Sequence, residues 1–151
     1  MPTTVIRPLT LAEHDEVYRL WTQCEGICVS DDDARDRIEL YLERNPGLCW
    51  VATVEVPLSG KTVAAIVGTV LCGHDGRRGI LRHLAVAPAF RRGGLGRTLV
   101  EKCLAALAAQ GIRKCNIYVQ DDNLAGRKFW EHLGYRALTD DYRTLQIAIG
   151  K

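Results

Sequence analysis

An apolar, strand-like run, Ile80-Leu81-Arg82-His83-Leu84-Ala85-Val86, leads into a glycine-rich turn, Arg91-Arg92-Gly93-Gly94-Leu95-Gly96, which opens a helix-like segment. A strand that passes through glycines into a helix is a place to hold phosphate. Glycines let backbone N–H groups point the same way at close range, and a helix N-terminus adds about half a positive charge. Arginines beside those amides strengthen the pull on an anion. Read as a plain loop, the same run carries only solvated arginines. Spacing excludes two familiar phosphate loops. A Walker loop ends in Gly-Lys-Ser/Thr, but Gly96-Arg97-Thr98 has no lysine, and Arg91 stands where the first glycine belongs. A dinucleotide fingerprint needs a third glycine where this chain has Leu99.

The 151 residues predict one domain, 1–151, long enough to bury a sizeable core. Apolar residues at 47% and charged residues at 25% are ordinary for a soluble globular protein. A net charge of +2, with no long Lys/Arg block, argues against nucleic acid as a partner. No apolar run approaches the roughly 20 residues that span a membrane. The polar start, broken by Pro2 and Pro8, predicts no secretory signal. The cysteines at 24, 28, 49, 72, 103 and 115 then read as reduced thiols of a cytoplasmic protein. They form no CxxC pair and no zinc-like pattern, so no metal is expected. Cys24 and Cys28, a helical turn apart, keep a metal or redox pair open as an alternative.

The rest of the chain reads as alternating elements. Val5–Arg7 is a short strand. Thr10-Leu11-Ala12-Glu13 is a capping box for a first helix carrying Leu11, Val17, Leu20 and Trp21. Ser30 to Asp33 offers caps for a second helix, which stops at Asn45-Pro46-Gly47. Residues 49–56, 62–72 and 80–86 are β-prone and suggest an antiparallel meander. A helix follows from Gly94 to about Gln110, then a strand over 114–119, parallel to its predecessor. Asn123 caps a fourth helix that runs to Leu133. Strands over 135–138 and 142–149 close the chain.

Two motifs carry a resemblance. Arg91, Gly94 and Gly96 match an Arg/Gln-x-x-Gly-x-Gly pattern just after the strand ending Leu84-Ala85-Val86. Asn123, Gly126, Phe129, Gly134 and Tyr135 fall in register with a second pattern downstream. Together, and in this element order, they resemble the GNAT superfamily of N-acetyltransferases over nearly the whole chain. The resemblance implies an α+β fold: a mixed, mostly antiparallel sheet of about seven strands with four helices, the fourth and fifth strands parallel and splayed around the cofactor. It implies acetyl-CoA as co-substrate. Leu84, Ala85 and Val86 would offer main-chain groups to the pantetheine arm. Arg92, Gly93, Gly94, Leu95, Gly96 and Arg97, with Arg91 of the motif, would cradle the pyrophosphate. Asn123 would touch the pantetheine, and Phe129 and Lys128 would lie toward the nucleotide. Trp130 stands in the cofactor region where the family often has a tyrosine that protonates the leaving thiolate. An indole N–H donates a hydrogen bond but is no useful acid. Tyr118 stands where relatives that acetylate protein N-termini have a glutamate.

Acetyl transfer to an amine needs a neutral acceptor and therefore a base. His83, on the signature strand, is a candidate. Tyr118 and Tyr142 are further catalytic candidates, and His74 with Asp75 lies in the turn before that strand. Asp121 and Asp122 read as residues leading into a helix, and His14 and His132 as surface residues. The resemblance puts the acceptor near the loop from Gln23 to Asp33, with Trp21, Glu25 and His74 as contacts. Glu25, Asp31, Asp32 and Asp33 suit a cationic amine, though the aspartates read equally well as helix caps. The expected activity is transfer of acetyl from acetyl-CoA directly to an amine, small molecule or protein, in a ternary complex. The alternatives are a non-catalytic acyl-CoA sensor or regulatory module, and another donor such as succinyl-CoA. Family members often form homodimers, so that state is left open.

Overall fold

The meander is built on a tight hairpin. Ser59 and Gly60 take φ of 50° and 77°, and a two-residue turn with both angles positive matches the twist of the strands it joins. The computed structural model describes residues 2–138 and 143–150. Its contacts divide the chain into two compact units, Met1–Gln120 and Asp121–Lys151.

The first unit holds a five-stranded sheet in the order β1 (Val5–Pro8), β2 (Trp50–Leu58), β3 (Lys61–His74), β4 (Gly79–Val86) and β5 (Cys115–Asn116). The first four strands pair antiparallel. β5 runs parallel to β4, after the long crossover a parallel pair requires, here made by helix α3 (Leu95–Ala109). The β4–β5 ladder covers only Gly79↔Cys115 and Ile80↔Asn116. From Leu81 to Val86, β4 has no strand partner on its β5 side among the described residues, which leaves an open main-chain edge up to Val86, whose carbonyl the Arg91 side chain takes up. The strands part, which is also why β5 is shorter than the strand expected over 114–119.

A bulge shapes β4. Arg82 pairs with Leu71 and Ala85 with Thr69, so His83 and Leu84 together face Val70. His83 takes φ of 51°, a left-handed conformation uncommon for a non-glycine residue.

Helices cover both faces. Thr10 begins a 3-10 turn, Leu11–Glu13, that leads into α1 (His14–Gln23). Val17, Leu20 and Trp21 pack with Leu9, Ile38, Cys49, Val51, Leu71 and Ala85 in one core cluster. Ile38 belongs to α2 (Arg35–Arg44), which Ser30 introduces and Asn45 ends. Successive strand residues point to opposite faces. Ala52, next to Val51, therefore turns the other way, toward Gly68 and Leu99 of α3. Leu99, Val100, Cys103 and Leu107 are the buried stripe of that helix.

The second unit holds α4 (Leu124–His132), capped by the Asn123 side chain, whose Oδ1 accepts the Gly126 N–H at 3.0 Å. Its end packs Trp130 between Phe129 and Tyr135, with ring centroids at 5.1 and 5.0 Å. The two closing strands are not seen among the described residues. Residues 135–138 and 143–150 carry no strand, and Leu145, Ile147 and Ile149 are exposed. An apolar pattern becomes a strand only where a neighbour takes up its N–H and C=O groups. No described helix is long and apolar enough to cross a membrane.

The entry to α1 is electrostatically braced. Glu13 accepts the Thr10 N–H at 3.0 Å, and Arg7 bonds both its oxygens, Nη1 to Oε1 at 2.8 Å. Burial raises the Glu13 pKa, but the hydrogen bonds from Arg7 and Thr10 outweigh it and leave it below its ordinary 4.5. Such a group stabilises the fold above the unfolded value and loses that contribution as pH falls through the lower folded value. Glu13→Gln should cost about 1 kcal/mol at neutral pH. In urea titrations the difference from wild type should shrink as the pH drops below 4.5.

Candidate active site

Where β4 ends, the chain turns into α3 with an exposed helix terminus. Arg92 and Gly94 have φ of 68° and 83°, and Gly94 is the N-cap. A side chain at Gly94 would meet nothing within 4 Å, so the glycine serves its left-handed backbone rather than packing. No side chain caps the helix, and the first helical bond runs from Thr98 N–H to Gly94 O. The N–H groups of Leu95, Gly96 and Arg97 therefore have no partner among the described residues, and they form an anion site at the positive end of the helix. Arg92 is exposed beside them and in no ion pair among the described residues. Two neighbouring arginines are committed elsewhere. Arg91 turns back, donating from Nε to Val86 O at 2.9 Å and from Nη2 toward Cys24 Sγ at 3.7 Å. Arg97 pairs with Glu101 one turn along the helix at 3.0 Å.

The bulge directs His83 toward α1 and the loop before α2. Its Nε2 lies 2.7 Å from Asp33 Oδ1. The other Asp33 oxygen accepts the Ser30 N–H at 2.9 Å, so one carboxylate both caps a helical turn and holds the histidine. A carboxylate only accepts, so Nε2 carries the proton, and in the neutral imidazole the lone pair is on Nδ1. Nδ1 has no hydrogen-bond partner among the described residues. Trp21, wholly buried, packs its ring 4.8 Å from the imidazole. The His83 side chain keeps 14% of its surface accessible, against 8% for Asp33. Behind them His14 is buried, not a surface residue as expected, because its Nε2 donates to the Asp33 carbonyl at 2.8 Å. The result is an imidazole held at a fixed angle, beside the half of β4 that no β5 residue pairs among the described residues.

Residues 14–135 match the acetyltransferase (GNAT) family. The chain belongs to the GNAT acetyltransferase family. An acetyltransferase of Yersinia enterocolitica is 36% identical over 130 residues, 86% of each chain. Among solved structures, Ard1 from Thermoplasma volcanium superposes with a TM-score of 0.73 at 21% identity, covering 90% of this chain and 84% of that one. The aminoglycoside N-acetyltransferase AAC(6')-Iy, in complex with CoA, gives 0.72 at 16%, covering 98% and 97%. These two likenesses speak for the fold.

GNAT enzymes use acetyl-CoA, and this acetyltransferase has features that fit it: the uncapped terminus of α3, the exposed cation of Arg92 and the edge of β4 at Leu84 and Ala85 that no β5 residue pairs among the described residues. The remaining candidates scatter. His74 has both ring nitrogens engaged, Nε2 with Gln110 Oε1 at 2.7 Å and Nδ1 accepting the Gly76 N–H at 3.0 Å, so it has no lone pair for a substrate proton. Trp21 has no exposed surface and supports His83 instead of meeting an acceptor. Tyr118 is largely exposed and lies under the Arg82 guanidinium, 5.7 Å from its ring centroid. Glu25 is exposed in the loop after α1. Asn123, Phe129 and Trp130 belong to the second unit described above, and Tyr142 lies outside the described residues. The described residues contain no cluster of metal-ligating side chains. Cys24 is buried, while Cys28 is exposed and meets Gln120.

The contact of Asp33 with His83 is what the sequence did not show, since it offered Asp33 as a helix cap or as an acid for a cationic amine. Asp33 lies 50 positions from His83, and Ser30-x-x-Asp33 already explains it locally. Asp33→Ala removes both hydrogen bonds and should lower stability by about 2 kcal/mol, roughly 5 °C in Tm. Differential scanning calorimetry measures this directly, and Asp33→Asn should lose less.

Proposed function

We propose that the chain is an N-acetyltransferase that moves acetyl from acetyl-CoA directly to an amine, with His83 as general base and Asp33 as the residue that orients it. The observation that carries this reading is the 2.7 Å contact between Asp33 and His83 on the bulge of β4. Acetyl-CoA supplies an activated acetyl group as a thioester. The anion site of α3 and Arg92 would hold its phosphates, and the open main-chain edge of β4 its pantetheine arm. His83 Nδ1 takes the acceptor's proton as the amine attacks the thioester carbonyl; the new C–N bond forms, the C–S bond breaks and CoA leaves as its thiolate. The charged imidazolium that results still donates from Nε2 to Asp33, whose negative charge stabilises it. Buried cysteines favour direct transfer over a covalent acetyl-cysteine. Cys72 and Cys103 are inaccessible, and burial pushes the Cys49 thiol up to about 12. The family match crosses the border between the two units, which supports reading 1–151 as one domain.

The test is thiol release from acetyl-CoA with and without a broad library of amines. Acceptor-dependent release supports the reading. Acetyl-CoA binding without release over the whole library would favour an acyl-CoA sensor. His83→Ala should lower kcat by about 10²–10⁴-fold and leave the acetyl-CoA KM unchanged. Arg92→Ala should do the reverse. Its acetyl-CoA KM should rise by about tenfold, with a smaller effect at high salt, because a phosphate contact is screened by ions.

A further inference from the structure

An open groove of about 380 Å³ runs between the C-terminal end of α2, the end of β3 and the starts of β4 and β5. We propose that it binds a carboxylate carried by the acceptor, so that the substrates are amines that also bear a carboxylate. The proposal rests on the acetyl-transfer reading above. Its walls carry two guanidinium groups without an ion pair and a hydroxyl without a hydrogen-bond partner among the described residues.

The Tyr41 hydroxyl is buried and has no hydrogen-bond partner among the described residues. Burial raises its pKa, so it stays a neutral O–H donor, while the charge of Arg82 acts on it in the opposite sense. A buried hydroxyl without a partner is destabilising, and a ligand atom that accepts from it removes that cost. Gly73 lies directly beneath this hydroxyl. A Cβ there would come within 2.6 Å of the oxygen, so the glycine leaves Tyr41 its position. Arg82 is exposed, lies over the Tyr118 ring, and meets no carboxylate among the described residues. Arg78 lines the same groove and likewise has no ion pair among the described residues.

Several other polar groups of the groove are engaged. Asp75, the one acid in its lining, accepts the backbone N–H groups of Arg77 and Arg78 at 2.8 and 2.9 Å. Those two bonds hold its carboxyl below the usual range and leave the arginine side chains unmatched. Both ring nitrogens of His74 are engaged, as described above. The Asn45 amide donates to Tyr41 O and accepts the His74 N–H. Left to meet a ligand are a guanidinium stacked on a ring, a second guanidinium and the Tyr41 hydroxyl, with the Asn116 amide and the Tyr118 hydroxyl beside them. A planar anion matches that set, and a fork-shaped guanidinium binds a carboxylate with two parallel bonds. Arg82 directly precedes His83 in the chain, so a carboxylate anchored in the groove tethers its amine next to the base.

The experiment compares the standard amino acids with their carboxamides as acceptors in the thiol-release assay. Free acids should be favoured in kcat/KM by at least about tenfold. Arg82→Ala should abolish that preference without changing the acetyl-CoA KM, and Tyr41→Phe should reduce it. Equal turnover of acids and amides overturns the groove assignment while the acetyl-transfer reading stands. So does an Arg82→Ala variant whose defect is in acetyl-CoA KM, since the anion would then belong to the cofactor. If no pair is turned over, saturation-transfer NMR of the same pairs on CoA-saturated protein decides. Acids that bind wild type but not Arg82→Ala uphold the groove and count against His83 as the base. Acids that bind no better than amides, or not at all, overturn it.

Discussion

The site depends on one carboxylate shared between two tasks. Asp33 closes the helical turn begun at Ser30 and, with its other oxygen, accepts the hydrogen bond of His83 Nε2–H from across 50 residues. That hydrogen bond ties the loop between the first two helices to the middle of β4. It also fixes which imidazole nitrogen is free. His14 holds the Asp33 backbone from behind, and the Trp21 ring lies against His83. Each of these groups is buried or nearly so. The histidine is therefore oriented before any substrate arrives, which is what lets a base act without reorganisation at the moment of transfer.

The bulge in β4 makes this geometry reachable. A regular strand alternates its side chains between two faces. The extra residue at 83–84 breaks the alternation and lets His83 turn toward α1 in a left-handed conformation. Backbone in that region is strained and persists only where its surroundings over-determine it, as Trp21 and Asp33 do here. Below the bulge β4 still pairs with β5. Above it β4 pairs with β3 alone among the described residues, and its main chain leads toward the uncapped terminus of α3. One strand thus carries the groove, the oriented imidazole and the edge that β5 leaves open in order along its length.

Much of this was legible in the residues. Thr10-Leu11-Ala12-Glu13, Ser30 and Asn123 announced their helices, because a cap is a local contract between neighbours in sequence. The glycine turn, with its arginines, announced an anion site for the same reason. What stayed hidden was non-local. His14 reads as a surface residue until the Asp33 carbonyl is brought to it. Arg91 and Arg97 look equivalent to Arg92 until Val86 and Glu101 take up their guanidinium groups. His74 looks like a base until Gln110 and the Gly76 N–H occupy its ring. The splay of β4 from β5 leaves no periodic signature, so the fifth strand was expected to be longer than it is.

The account stands or falls on the protonation of His83. Nitrogen-15 NMR of imidazole-labelled protein reads the two ring nitrogens separately at a pH where the histidine is neutral. The account predicts a protonated Nε2, donating to Asp33, and a bare Nδ1, with the order lost in Asp33→Ala. A neutral His83 protonated at Nδ1, or a mixture of tautomers unaffected by Asp33→Ala, would contradict it.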